Sequence, residues 1–118
     1  MSIKNALASV AVNDLPSAVQ WYEKLFGRAP DSRPMPEVAE WKFEGGGWLQ
    51  VYQGPERAGS GSFTLAVSSL DEELANLNRC GIASGKQIVT EKVKVLMIKD
   101  PDGNSIAFSE AIDESKAR

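Results

Sequence analysis

The chain contains no histidine and a single cysteine, Cys80. Without imidazole there is no Ser-His-Asp or Cys-His nucleophile system, no histidine general base and no metal site built on imidazole. One cysteine excludes an intrachain disulfide and a cysteine-built zinc site, and this usage suits a reducing compartment. Basic runs are missing too: 13 Lys+Arg are scattered among 16 Asp+Glu, for a net charge of −3. Neutralising phosphates takes clustered Lys and Arg, so no nucleic-acid partner is expected. No stretch approaches the ~18–20 apolar residues of a membrane span, so no membrane partner is expected either. The apolar run Ala6–Val12, preceded by Lys4, meets Asn13-Asp14 with no convincing cleavage site behind it. It reads as a strand rather than a leader, and the expected location is the cytoplasm.

What is present is one domain's worth of chain, 118 residues with 42% hydrophobic and 25% charged. That length buries a core without disulfide or metal staples. After the strand at 6–12, Asp14 is placed to cap a helix, with Pro16 tolerated in the first turn. Leu15, Ala18, Val19, Tyr22, Leu25 and Phe26 follow helical spacing on one face, and Gly27 supplies the stop. Of the adjacent Trp21 and Tyr22, spacing turns Tyr22 inward. Pro30, Pro34 and Pro36 predict an extended, irregular connection. Val38–Phe43 reads as a strand, Gly45-Gly46-Gly47 as a hairpin turn and Trp48–Gln53 as the returning strand.

Residues 54–61 form a Gly-, Pro- and Ser-rich linker, and the pattern then starts again. Phe63–Val67 is a strand, Ser69 caps a helix with Glu72 completing a capping box, and Leu70, Leu74 and Leu77 form its apolar stripe up to Gly81. Lys92–Lys99 is a strand, Asp100-Pro101-Asp102-Gly103-Asn104 a turn, and Ser105–Ser109 returns; the polar tail from Asp113 to Arg118 is expected to fray. Sliding the chain by 55 places Val12 on Val67, Asp14 on Ser69 and Leu15 on Leu70; sliding by 57 places Leu49 on Ile106 and Val51 on Phe108. Any α+β chain can be cut into two halves of this kind, but the matched helix starts favour an internal duplication. The expectation is one domain over 1–118, with modules 3–53 and 62–110 joined by 54–61.

A βαβββ unit repeated twice, Asp-Leu or Ser-Leu opening each helix, Trp21-Tyr22 midway along the first helix, and DPDGN at 100–104 before the last strand resemble the vicinal-oxygen-chelate superfamily. That is the glyoxalase, bleomycin-resistance and extradiol-dioxygenase group. The resemblance covers residues 3–110, and the DPDGN-strand ending is its most specific part. It implies an α+β fold in which the two modules form a curved, cup-like mixed sheet with helices on the convex side and ligand on the concave side. It also implies metal-ligand positions, which fall here on Leu7, Gln50, Ser62 and Ala107. Leu7 and Ala107 cannot coordinate a cation, and Ser62 and Gln50 are weak neutral ligands, so neither metal nor cofactor is expected.

Strand alternation supplies a separate reading of the lining. Leu7 and Ser9, then Ser62 and Thr64, then Ala107 lie on the smaller or more polar faces of three strands. Trp48, Gln50 and Tyr52 share the equivalent face of a fourth. Rings and sparse hydrogen-bonding groups suit recognition rather than proton transfer. The competing reading makes Trp48 and Tyr52 core or dimer-contact residues. The faces of Trp41 and Glu40 are undecided by sequence. Cys80 reads as a packed small residue, and Asp100 and Asp102 as turn-forming residues rather than a carboxylate pair. Resemblance and lining together point to a metal-free protein that binds a small aromatic or amphipathic molecule. The alternative is a glyoxalase-like lyase or dioxygenase-like enzyme. A homodimer is expected, because open sheet edges invite pairing and the family commonly covers them by two-fold association.

Overall fold

The computed structural model describes residues 2–112; the expected polar tail, 113–118, lies outside the described residues. The first module runs β1 (Leu7–Val12), α1 (Leu15–Phe26), β2 (Ser32–Met35), β3 (Val38–Lys42) and β4 (Trp48–Gln53). The second runs β5 (Ser62–Ala66), α2 (Leu70–Cys80), β6 (Gln87–Val89), β7 (Val93–Lys99) and β8 (Ser105–Ala111). Each module builds a four-stranded mixed sheet, ordered β1-β4-β3-β2 in one and β5-β8-β7-β6 in the other. In both, the opening strand lies parallel to the closing strand and the rest pair antiparallel. The shared order makes the duplication visible as topology. Among the described residues no helix is long and apolar enough to cross a membrane.

Local signals set both helices. Asp14 accepts from the Ser17 N–H at 3.2 Å and from the Ser17 hydroxyl at 2.6 Å. These bonds hold its carboxyl below the usual carboxylate range. Gly27 ends α1 at φ 74°, a conformation that glycine adopts without a Cβ penalty. Ser69 caps α2 through the Glu72 N–H at 3.2 Å, while the Leu70 N–H donates across the module to Glu110 at 2.7 Å.

Two edge strands are not legible as strands in the sequence. β2 contains Pro34, which an edge strand tolerates because one side of its backbone needs no partner. β6 is three residues long with all three exposed, so it shows no apolar alternation. β8 runs on to Ala111, two residues past the expected end, because Val93 and Lys94 of β7 still pair with Ala111 and Glu110.

The core fills the space between sheets and helices. Val10, Val12, Trp41, Leu49 and Val51 of the first sheet meet Leu15, Tyr22 and Leu25 of α1. Leu96, Ile98, Ile106 and Phe108 meet Leu70 and Leu77 of α2 in the same continuous cluster. Burying a side chain of this size contributes roughly 1.5–3 kcal/mol before entropy is charged against it. Trp41 is thereby assigned to the helix side, with its Nε1 donating to the Arg28 carbonyl at 3.1 Å. Tyr22 is the inward ring of its pair, fully buried, as spacing predicts.

The DPDGN turn joins the modules. Asn104, wholly buried, donates from Nδ2 to the Ala11 carbonyl and to Asp100, both at 2.8 Å. Its Oδ1 accepts from the Gly59 and Gly61 N–H groups at 3.0 and 2.9 Å, pinning the linker. Gly59 sits at φ 90°, and a Cβ there would lie 2.5 Å from the Asp102 carbonyl oxygen, so the turn and the linker require glycine at this point.

Candidate functional site

Each sheet has one face packed on its helix and one open face. On the first sheet the register places Leu7 beside Trp48 and Trp48 beside Lys42. The next row is Ser9, Gln50 and Glu40, and the third is Ala11, Tyr52 and Val38. Trp48, Gln50 and Tyr52 are half-buried while the intervening Leu49 and Val51 are sealed at 1% and 0% exposure. Leu7 remains 47% exposed.

The middle row is wired together. Ser9 Oγ donates to Gln50 Oε1 at 2.9 Å, and Gln50 Nε2 donates to Glu40 Oε2 at 2.5 Å. The two bonds fix which way the Gln50 amide points, since its oxygen serves Ser9 and its nitrogen serves Glu40. These bonds use one of the two Gln50 amide N–H groups and one of the two Glu40 carboxylate oxygens. Lys42 Nζ stands 5.8 Å from the centroid of the Trp48 ring, within cation–π range. The patch offers flat aromatic area, one carboxylate and one ammonium.

Ser62, Thr64 and Ala107 make the corresponding patch on the second sheet, where Ser62 pairs with Ser105 and Thr64 with Ala107. Ala107 also pairs with Met97, which is 38% exposed. The candidate residues thus fall into two groups, one per module. Trp48 and Thr64 additionally border a cleft of about 750 Å³ between the modules, whereas Gln50 and Tyr52 do not.

Glu40 is the site residue that alternation alone leaves unplaced. The loop between β3 and β4 decides it: Phe43 N–H donates to the Gly47 carbonyl at 2.8 Å and Gly46 N–H to the Phe43 carbonyl at 2.9 Å. That closure sets Lys42 opposite Trp48 and therefore Glu40 opposite Gln50. Counting back from the turn is the signal that finds it.

The residues at the four family metal positions do not fit a metal ion. Leu7 and Ala107 carry no side-chain donor atom, and both ends of the Gln50 amide are engaged. Among the described residues no group of three or more His, Cys, Asp or Glu could hold one. The other candidates have structural roles. Asp100 Oδ1 accepts from the Asp102 and Asn104 N–H groups at 3.0 and 2.9 Å, and Asp102 accepts from Asn13 Nδ2 at 2.7 Å. Cys80 is partly buried, with its thiol directed to the Lys24 carbonyl at 3.4 Å.

The Glyoxalase/Bleomycin resistance protein/Dioxygenase superfamily model matches residues 5–108. Among solved structures, a glyoxalase/bleomycin resistance protein from Catenulispora acidiphila DSM 44928 superposes with TM-score 0.81 at 37% identity, over 90% of this chain and 96% of that one. TnmS3, an antibiotic binding protein from Streptomyces sp. CB03234, gives TM-score 0.81 at 25% identity over 94% and 98%. A bleomycin resistance determinant encoded on the transposon Tn5 shares the fold, with TM-score 0.79 at 16% identity over 94% and 100%. No curated protein matched the chain in a sequence comparison. With a family match over nearly the whole chain and a relative of this similarity, the chain belongs to the glyoxalase/bleomycin resistance/dioxygenase group, the vicinal-oxygen-chelate superfamily.

Proposed function

We propose that this chain is a metal-free binding protein that holds a small aromatic or amphipathic molecule on the open face of its sheets. The observation that carries this reading is the Ser9–Gln50–Glu40 hydrogen-bond chain set between Trp48 and Tyr52. Rings supply contact area, and a fixed amide and carboxylate supply direction. Leu7, Ser9, Trp48, Gln50 and Tyr52 form one wall in this reading, and Ser62, Thr64 and Ala107 form the other. The Ser9 hydroxyl donates to an amide oxygen rather than to a base, which supports a site that orients a ligand over one that transfers its protons. TnmS3, named as an antibiotic binding protein, supports the same reading.

The test is a titration of the purified protein with a panel of aromatic antibiotics, followed by tryptophan fluorescence, together with elemental analysis of protein prepared without chelator. Saturable quenching that Tyr52→Ala weakens, with no stoichiometric metal, is the expected result. Stoichiometric zinc, nickel, iron or manganese would overturn the metal-free reading. Turnover of a thiol-adduct or catechol substrate would favour the enzyme reading instead.

A further inference from the structure

The cleft between the modules is lined by the end of α1, by α2 and by Phe63, Leu65 and Phe108; Trp48 and Thr64 of the open face border it, while Gln50 and Tyr52 do not. One wall is aromatic: Phe26, at the end of α1, meets Phe43 edge-on with ring centroids 5.3 Å apart. Leu65, Val67 and Glu73 of α2 line the same cleft. A neighbouring cleft of about 770 Å³ shares Phe43, Val67 and Glu73 and adds Glu44 and Glu110, so the two form one continuous groove.

The charges along this groove are unequal. Glu44, Glu72, Glu73 and Glu110 line it, against Arg28 and Arg79. Arg28 is already paired with Asp31, and Glu110 is bonded to the Leu70 N–H and ion-paired with Lys94, which leaves Glu44, Glu72 and Glu73 as the carboxylates to be met. The half-buried Glu73 side chain has neither a hydrogen bond nor an ion pair among the described residues. Burial first, and the neighbouring Glu72 second, push its carboxyl above the usual range. A cation placed there would relieve both costs, and partial burial weakens the screening that makes exposed pairs ineffectual.

We propose that this groove, bordered by Trp48 and Thr64 but distinct from the Gln50 and Tyr52 rows of the open face, is a second ligand site for a hydrophobic cation: a flat aromatic body bearing an amidinium or ammonium group. The ring system lies along Phe43, Leu65 and Val67, and the charge sits between Glu44 and Glu73. Apolar contact alone would take an anion of the same size equally well; the carboxylates are what select the cation.

The experiment titrates the protein with the planar cation proflavine, read by fluorescence anisotropy, beside the anionic dye anilinonaphthalene sulfonate. Glu73→Gln and Glu44→Gln should each weaken proflavine by roughly threefold to tenfold, and Glu73→Lys by more, without weakening the anion. Tyr52→Ala, on the open face, should leave proflavine unchanged. Circular dichroism checks each variant's fold. Absence of proflavine binding, an affinity that none of the three Glu variants alters, or a loss caused by Tyr52→Ala instead overturns the proposal. The last outcome would locate the cation on the open face and leave that site standing.

Discussion

The Tyr22 hydroxyl donates to Asp100 Oδ2 at 2.9 Å, joining the helix of the first module to the closing turn of the second. The bond is buried, and Asp100 also receives three donors from its own turn, two from backbone and one from Asn104. Burial, and then the charge of Asp100, push the Tyr22 hydroxyl far above the ordinary phenol range.

That shift has a definite sign in stability. Below pH ~10 both folded and unfolded chains keep the proton, and the contribution is complete. Above it the unfolded chain releases a proton that the folded chain retains, so stability falls as pH rises. At neutral pH, Tyr22→Phe should cost about 1–3 kcal/mol, because a buried carboxylate loses a donor. The gap between the two proteins should narrow as the pH passes ~10. Urea midpoints across that window check it; a constant gap would show that Tyr22 does not titrate differently in the two states.

The Asn104 side chain makes four hydrogen bonds, three of them to groups outside the turn. Asn104→Ala leaves the Ala11 carbonyl and the Gly59 and Gly61 N–H groups without it, and should cost about 2–4 kcal/mol. Asn104→Asp keeps an acceptor for the glycines but sets a second carboxylate against Asp100, and should be no better tolerated. Chemical denaturation measures both, and a loss below ~1 kcal/mol for the alanine variant would remove Asn104 from its place as the module clamp.

What the sequence makes legible is what is local. Asp14 and Ser69 each announce a helix within four residues, and Gly27 and Gly81 end the helices by a conformation that glycine takes cheaply. Face assignment on β4 is equally local, since Leu49 and Val51 alternate with Trp48, Gln50 and Tyr52. The half of the DPDGN turn that folds on itself follows from residue type. The half that reaches Ala11 and Tyr22 does not, because nothing near Asn104 or Asp100 names a partner 93 or 78 residues away. Glu40 is an intermediate case, lost to alternation and recoverable only from the register that its turn imposes.

The edges of the sheets give a further expectation. β2 and β6 each pair on one side only, and Met35, Ile88 and Val89 there are 56%, 57% and 60% exposed. Exposed strand edges carrying apolar side chains are a pairing liability unless a partner covers them. The protein is therefore expected to sediment as a two-fold homodimer at micromolar concentration. Ile88→Lys with Val89→Lys should shift the equilibrium toward monomer if β6 takes part. A monomeric mass for the unaltered chain would remove the dimer.

The adjacent pair Trp48 and Leu49 tests the site most directly, because one strand presents them to opposite sides. Leu49 is buried under α1, so Leu49→Ala should open a cavity and cost about 2–5 kcal/mol, read from urea denaturation. Trp48 is half-buried, with its ring beside Lys42 and in the row next to Gln50, so Trp48→Ala should leave the fold intact. A ring stacked on Trp48 contributes roughly 0.5–1.5 kcal/mol beyond the area it buries, so binding of an aromatic ligand should weaken about tenfold or more. Isothermal titration with whichever aromatic compound quenches the wild-type protein gives that ratio. If Trp48→Ala instead unfolds the chain while Leu49→Ala is harmless, the open face and the core have been exchanged, and the binding wall assigned to Trp48, Gln50 and Tyr52 falls with them.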